Sequence, residues 1–207
     1  MELGQPSRTA LGAAAHRAVH QVLENGRIFS DPLALRILGQ DIEAAVRDAE
    51  NDPSRRRLRL FVAVRTRFAE DALTAAVARG VRQLVVLGAG LDTYAYRTTL
   101  GESLHIFEVD HPATQAWKQQ RLAEAGISVP YTLTFAPVDF ERETLRDGLN
   151  HRRFRSSATD LFHLAGRRPL SDSACRLFDP WLHRQSTGRS SRCIRLQQSS
   201  GFGSCQG

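Results

Sequence analysis

Residues 83–97, QLVVLGAGLDTYAYR, constrain the fold of this chain more than any other stretch. Leu84, Val85, Val86 and Leu87 are wholly apolar and half of them β-branched, the pattern of a central parallel strand covered on both faces. Gly88 and Gly90 follow at once. Glycines there let the chain bend sharply and let a ligand sit against bare backbone. An apolar strand opening into a Gly-x-Gly turn is how a nucleotide-binding α/β sheet begins.

The flanking segments fit such a sheet. Thr9–Glu24 reads as a helix closed by Gly26, and Ser30-Asp31-Pro32 caps a second helix running to about Leu38. A longer helix is expected over Arg55–Arg79, with Leu60, Val64, Phe68, Leu73 and Val77 on its buried face and Gly80 as its stop. Strands are expected at Gln83–Leu87, Leu104–Asp110 and Thr132–Asp139, with a helix from about Pro112 to Ala125 ended by Gly126. Alternating strands and helices call for a parallel, doubly wound sheet.

With 207 residues and 42% hydrophobic content, one globular domain with a real core is the expectation. No apolar run is long enough to span a membrane, and the opening residues lack the layout of a secretory signal, so the expected location is cytoplasmic. The net charge of +6 points at first to nucleic acid. Residues 151–207, however, hold ten Arg, no Lys and three Asp, a net of +7, which leaves −1 for residues 1–150. Nucleic-acid binding is thereby the weakest of the functional readings. Cys175, Cys193 and Cys205 lie in that same last segment with no CxxC pattern, so neither a metal site nor a disulfide framework is expected.

Asp110 follows Gly90 by 20 residues, the separation between a nucleotide turn and the acid that accepts from ribose hydroxyls. Asp110 could equally cap the helix begun by His111 and Pro112, and the two roles are compatible. Glu108 alternates onto the same side as a weaker candidate. The turn departs from the dinucleotide fingerprint, because Thr93 stands where a third glycine belongs and Asp92 would repel a pyrophosphate. A cationic nucleoside without phosphate suits it better, and S-adenosylmethionine is one. His105 and His111 show no catalytic pairing and read as structural.

Six blocks carry a resemblance: SRTALGAAAHRA, IFSDPLALRILG, VRTRFAEDAL, GVRQLVVLGAGLDTYAYR, IFEVDHPATQAWKQQRLAEAG and FAPVDF. Together, over residues 7–150, they closely resemble the bacterial S-adenosylmethionine-dependent methyltransferases related to leucine carboxyl methyltransferases. The resemblance implies a class I methyltransferase fold, with N-terminal helices over residues 1–80 and the first βαβαβ half of the cofactor sheet over 81–150. It implies Gly88 and Gly90 beside the methionine end of S-adenosyl-L-methionine and Asp110 on the ribose. Asp139 and Phe140 would hold and cover the adenine, and Arg67 would face the cofactor carboxylate, with Arg65 its rival. Tyr94 and Tyr96 line the pocket or pack beside it. No catalytic residue is identified, and none is required: methyl transfer needs alignment of acceptor, methyl and sulfur with water kept away, and a carboxylate acceptor needs no general base.

Past Asn150 the periodicity stops. Residues 151–207 hold ten Ser and ten Arg and on composition read as a disordered basic tail. With suitable synonymous codons, Phe162–Ser173 read one base later can yield FTWLGVVPYLT, which resembles the family's fourth strand and the loop after it. The tail is therefore read as out of frame from near Asn150, leaving an incomplete sheet. Loss of the fourth strand would bare the Leu84–Leu87 edge, with poor solubility and weak turnover as consequences. The expected function is methylation of a carboxylate or hydroxyl on a small molecule or peptide. A non-catalytic remnant of such an enzyme is the alternative, and a nicotinamide-dependent oxidoreductase is disfavoured by Asp92 and Thr93.

Overall fold

The computed structural model describes residues 8–39, 41–150, 152 and 154, and the backbone of 160–164. Helices α1 (Arg8–Leu23), α2 (Pro32–Leu38), α3 (Asp41–Asn51) and α4 (Arg56–Ala78) precede the first strand. Then come β1 (Gln83–Leu87), α5 (Tyr94–Arg97), β2 (His105–Asp110), α6 (Pro112–Glu124), β3 (Leu133–Pro137), α7 (Leu145–Asn150) and β4 (Asp160–Leu164). The four strands form one sheet in the order β3-β2-β1-β4, with every pairing parallel. This is the doubly wound α/β architecture that the alternation of periods implies, with β1 inside the sheet.

β1 is buried along its whole length, and its side chains divide between two cores by strand alternation. Leu84 and Val86 pack with Leu73, Ala76 and Val77 of α4 and with Ile106 of β2. Val85 and Leu87 face the other way, against Phe107, Val109, Ala136, Val138 and the α7 residues Leu145 and Leu149. A third cluster joins α1, α2 and α6 through Ala14, Ala18, Ile37, Leu38 and Leu122, with Leu91 of the glycine turn among them. That cluster is what seats the N-terminal helices on the end of the sheet where the turn lies.

Two expectations need correction. Of the five residues expected on the buried face of α4, Leu73 and Val77 are buried and Leu60 is half-buried, but Val64 and Phe68 are 53% and 58% exposed, and Phe61 beside them is 46% exposed. The inward face of the first half of α4 is instead Arg59, Val62, Ala63 and Thr66, because close packing on α1 favours small side chains and Arg59 is drawn in by an ion pair. Second, the β1 edge is not bare: β4 pairs with it along Leu84–Leu87, with Val85 opposite Phe162. A parallel ladder is made by backbone groups, so an extended peptide as short as DLFHL satisfies the edge whatever its origin.

Candidate functional site

The glycine turn, the end of β2 and the residues after β3 meet at the carboxyl edge of the sheet, where open parallel sheets take their ligands. β1 and β4 lie side by side while β2 and β3 lie on the far side of β1, so the chain order reverses at the β1 turn. Ala89 N–H donates to Val109 O (3.2 Å) and Val138 N–H to Asp110 O (2.9 Å), which ties the three strand ends together.

Gly88 and Gly90 hold left-handed backbone, with φ of +61° and +48°. Gly90 is required twice over, since a Cβ there would lie 2.8 Å from the Cβ of Ala10 on α1. The bare backbone at Gly90 thus admits the N-terminal helix, a role the turn sequence alone did not suggest. Asp110 joins β2 to the turn: its Oδ2 accepts from Gly90 N–H (2.6 Å) and its Oδ1 from His111 N–H (2.7 Å). Burial pushes its carboxyl above the usual aspartate range, and the two amides pull against that rise. The cap of α6 is His111, whose Nδ1 accepts from Ala113 N–H at 3.2 Å. Asp110 is therefore free of the capping role, and each of its oxygens keeps a lone pair for a further donor.

After β3, Asp139 accepts from Glu141 N–H through Oδ1 (3.1 Å), and its own N–H donates to Glu143 (3.0 Å). Its carboxylate is thereby fixed at the sheet edge rather than swinging into solvent. Phe140 is partly buried against the core that holds Val85, Leu87 and Phe107. Arg67, by contrast, is exposed on α4, with its Nε donating to both oxygens of Asp71 (2.8 and 2.9 Å). Arg65 is half-buried on the same helix. Glu108 is closed off as a ribose ligand, since its side chain is 1% exposed and bonded to Lys118 Nζ at 2.6 Å.

A buried charge network that the sequence reading did not find grips the turn from behind. Arg17 on α1 donates to Leu91 O (2.6 Å) and lies 3.5 Å from Asp31. Asp31 caps α2 through Ala34 N–H (3.1 Å) and accepts from the Thr93 hydroxyl (2.6 Å). Arg97 lies 3.5 Å from Asp31 and forks onto Glu70 of α4. Asp92 is buried with Oδ1 accepting from Tyr94 N–H (2.8 Å). Burial opposes its ionisation, but Arg17, Lys118 and Arg97 outweigh burial and hold its carboxyl below the usual range. Charged residues spaced through alanine-rich α1, and a lone lysine at 118, were the available signals. Neither says which partner each charge will meet.

Asp110 at the end of β2, the left-handed glycines and the half-buried Phe140 offer a hydrogen-bond acceptor, bare backbone and an apolar wall. Tyr94 is buried and Tyr96 partly buried in the cores beside the turn, so both pack there. Among the described residues no group of three or more His, Cys, Asp or Glu is placed to hold a metal, and no helix is long and apolar enough to cross a membrane.

Comparison with known proteins points the same way. The profile of the family described as leucine carboxyl methyltransferase matches residues 10–168. A Bacillus subtilis (strain 168) protein, YktD, to which its name ascribes the role of an S-adenosyl-L-methionine-dependent methyltransferase, is 33% identical over 193 residues, covering 80% of this chain and 62% of its own length. SCO7813 of Streptomyces coelicolor (strain ATCC BAA-471 / A3(2) / M145), named likewise, is 40% identical over 128 residues, 58% of this chain and 45% of its own. A Mycolicibacterium paratuberculosis (strain ATCC BAA-968 / K-10) protein of the same naming is 34% identical over 149 residues, 65% and 46% respectively. This chain thus spans about half to three fifths of the length of these relatives.

Proposed function

This chain belongs to the leucine carboxyl methyltransferase family, and on that premise we propose that it binds S-adenosyl-L-methionine and serves methyl transfer to a carboxylate or hydroxyl oxygen of a small molecule or peptide. The observation that carries the reading is that Gly88–Gly90, Asp110 and Asp139–Phe140 share the carboxyl edge of the sheet, whose chain order reverses at β1, with Asp110 held by two backbone amides and still able to accept. When bound, the cofactor supplies an electrophilic methyl group on a sulfonium. Asp110 would accept from the ribose hydroxyls, Asp139 would accept from the adenine edge and Phe140 would cover the ring. Arg67 or Arg65 would meet the amino-acid carboxylate, which for Arg67 means giving up Asp71. The negative turn at Asp92 favours a cation over a pyrophosphate, which separates this reading from a nicotinamide enzyme.

Calorimetry with S-adenosylmethionine and with NAD tests the cofactor assignment. Saturable binding of the first and none of the second is expected; the reverse would overturn it. Labelled cofactor with panels of carboxylate and hydroxyl acceptors then reads the acceptor class. A second reading, a cofactor-binding remnant without turnover, rests on the loss of apolar periodicity past Asn150. Binding without label transfer to any acceptor would select it.

A further inference from the structure

We propose that Lys118 is a positioning residue for the cofactor turn, and that Glu108 is its charge partner, keeping that lysine from opposing a cationic cofactor. This rests on the reading of the turn as an S-adenosylmethionine half-site. Lys118, the only lysine in the chain, and Glu108 each leave 1% of their side chains exposed. Burying such a pair costs desolvation that an apolar pair of the same volume avoids, so the ion pair is not explained by stability. What it does that an apolar pair cannot is reach the turn.

An ammonium carries three donors. One goes to Glu108 Oε2 on β2 (2.6 Å) and one to the backbone carbonyl of Asp92 (2.7 Å), while the Tyr96 ring lies 5.2 Å away. The adjacent carbonyl, Leu91 O, is taken by Arg17 at 2.6 Å, and Gly90 N–H is taken by Asp110 at 2.6 Å. Three consecutive residues of the turn are therefore each held by a different element: β2 at Gly90, α1 at Leu91 and α6 at Asp92. The Lys118 bond fixes the peptide plane between Asp92 and Thr93, and with it the Asp92 carboxylate that accepts from Tyr94 N–H. Without that anchor the Asp92 carbonyl beside the left-handed turn loses its ammonium donor. Glu108 then matters for charge: a lone ammonium behind the turn would repel a sulfonium through a low-dielectric interior.

The test compares the full chain with two variants, using calorimetry for S-adenosylmethionine and S-adenosylhomocysteine and hydrogen exchange for the turn amides without ligand. The double variant Glu108→Leu/Lys118→Met removes both charges and keeps the volume. It should melt within a few degrees of the parent, exchange the amides of residues 90–94 at least tenfold faster, and bind S-adenosylmethionine at least tenfold more weakly. Glu108→Gln keeps the tether and loses the compensating charge. Its turn should stay protected while the affinity ratio of S-adenosylmethionine to its uncharged-sulfur product falls at least threefold, a shift that loss of packing alone would not produce. Unchanged exchange and affinity in the double variant would overturn the positioning role. Should the double variant not fold, an unchanged affinity ratio in Glu108→Gln overturns the charge role and a lowered one supports it. If the parent itself binds no S-adenosylmethionine, the half-site reading fails, while the exchange comparison still decides whether Lys118 orders the turn.

Discussion

Asp110 and Gly90 show how much can rest on one residue pair. Asp110→Asn replaces one accepting oxygen by a donor, so it loses a turn amide and weakens the acceptor offered to ribose. S-adenosylmethionine affinity should fall roughly 10- to 100-fold by calorimetry, the equivalent of about 1.5–3 kcal/mol for hydrogen bonds to a charged group. Because burial raises the Asp110 carboxyl, its ionised form is available only above a raised value. Cofactor affinity should accordingly decline with falling pH from above the ordinary aspartate range of about 4, and a titration of Kd against pH checks this. Gly90→Ala meets both a positive φ and the Ala10 methyl. A loss of at least about 1–2 kcal/mol is expected in denaturant melts, most of it from the left-handed backbone. The sequence made Gly88, Gly90 and Asp110 legible because their chemistry is local: a turn, and an acid at the end of the next strand. It did not reveal that Ala10 is what Gly90 makes room for, since that contact spans 80 positions of the chain.

At the scale of elements, the docking of α1 on α4 turns on Glu24, which takes a two-pronged bond from Arg59 (2.7 and 2.9 Å) and a contact from His20 Nδ1 (3.2 Å). The Arg59 hydrogen bond lowers the Glu24 carboxyl against the opposing effect of burial. A folded-state value below the unfolded one adds stability that is present above the unfolded value and lost as pH falls through the folded one. Melting temperature should therefore drop as pH falls below about 4, with a shallower drop in Glu24→Gln. On α4, Phe68→Ser should change stability by less than about 0.5 kcal/mol, whereas Leu73→Ala should cost about 2–5 kcal/mol, both read from chemical denaturation. That contrast tests the face of α4 directly. Its period was visible in the sequence, but Phe61, Val64 and Phe68 point outward and Arg59 points inward. Apolar spacing gives the existence of a helix more securely than its facing, because facing depends on what packs there. A helix after the turn was expected without bounds and proves to be the single turn α5, whereas α3 and short α7 were not expected.

For the whole molecule, β4 decides more than its five residues suggest. It covers the β1 edge and makes β1 an inner strand, which turns the glycine turn into the point where chain order reverses. The out-of-frame reading of residues 151–207 remains a claim about the gene. Sequencing across the codons for residues 140–160, in this gene and its near relatives, should show a one-base difference close to Asn150. An uninterrupted frame in relatives that encodes the same tail would end that reading, and the family match, which runs on to residue 168, makes the comparison pointed. Of the tail expected at residues 151–207, all but 152, 154 and 160–164 lie outside the described residues.

By itself, the sequence determined the α/β alternation, three of the strands, the left-handed turn and the acid whose carboxylate meets Gly90 N–H. Each follows from short-range rules of periodicity and backbone sterics that need no partner to be known. Only the tertiary structure decided which buried charges grip the turn. Arg17, Asp31, Arg97, Lys118 and Glu108 lie on five different segments, and an ion pair between distant residues leaves no periodic trace in either of them. The same holds for the covered edge of β1 and for the outward Phe61, Val64 and Phe68, since burial is a property of the neighbour as much as of the residue.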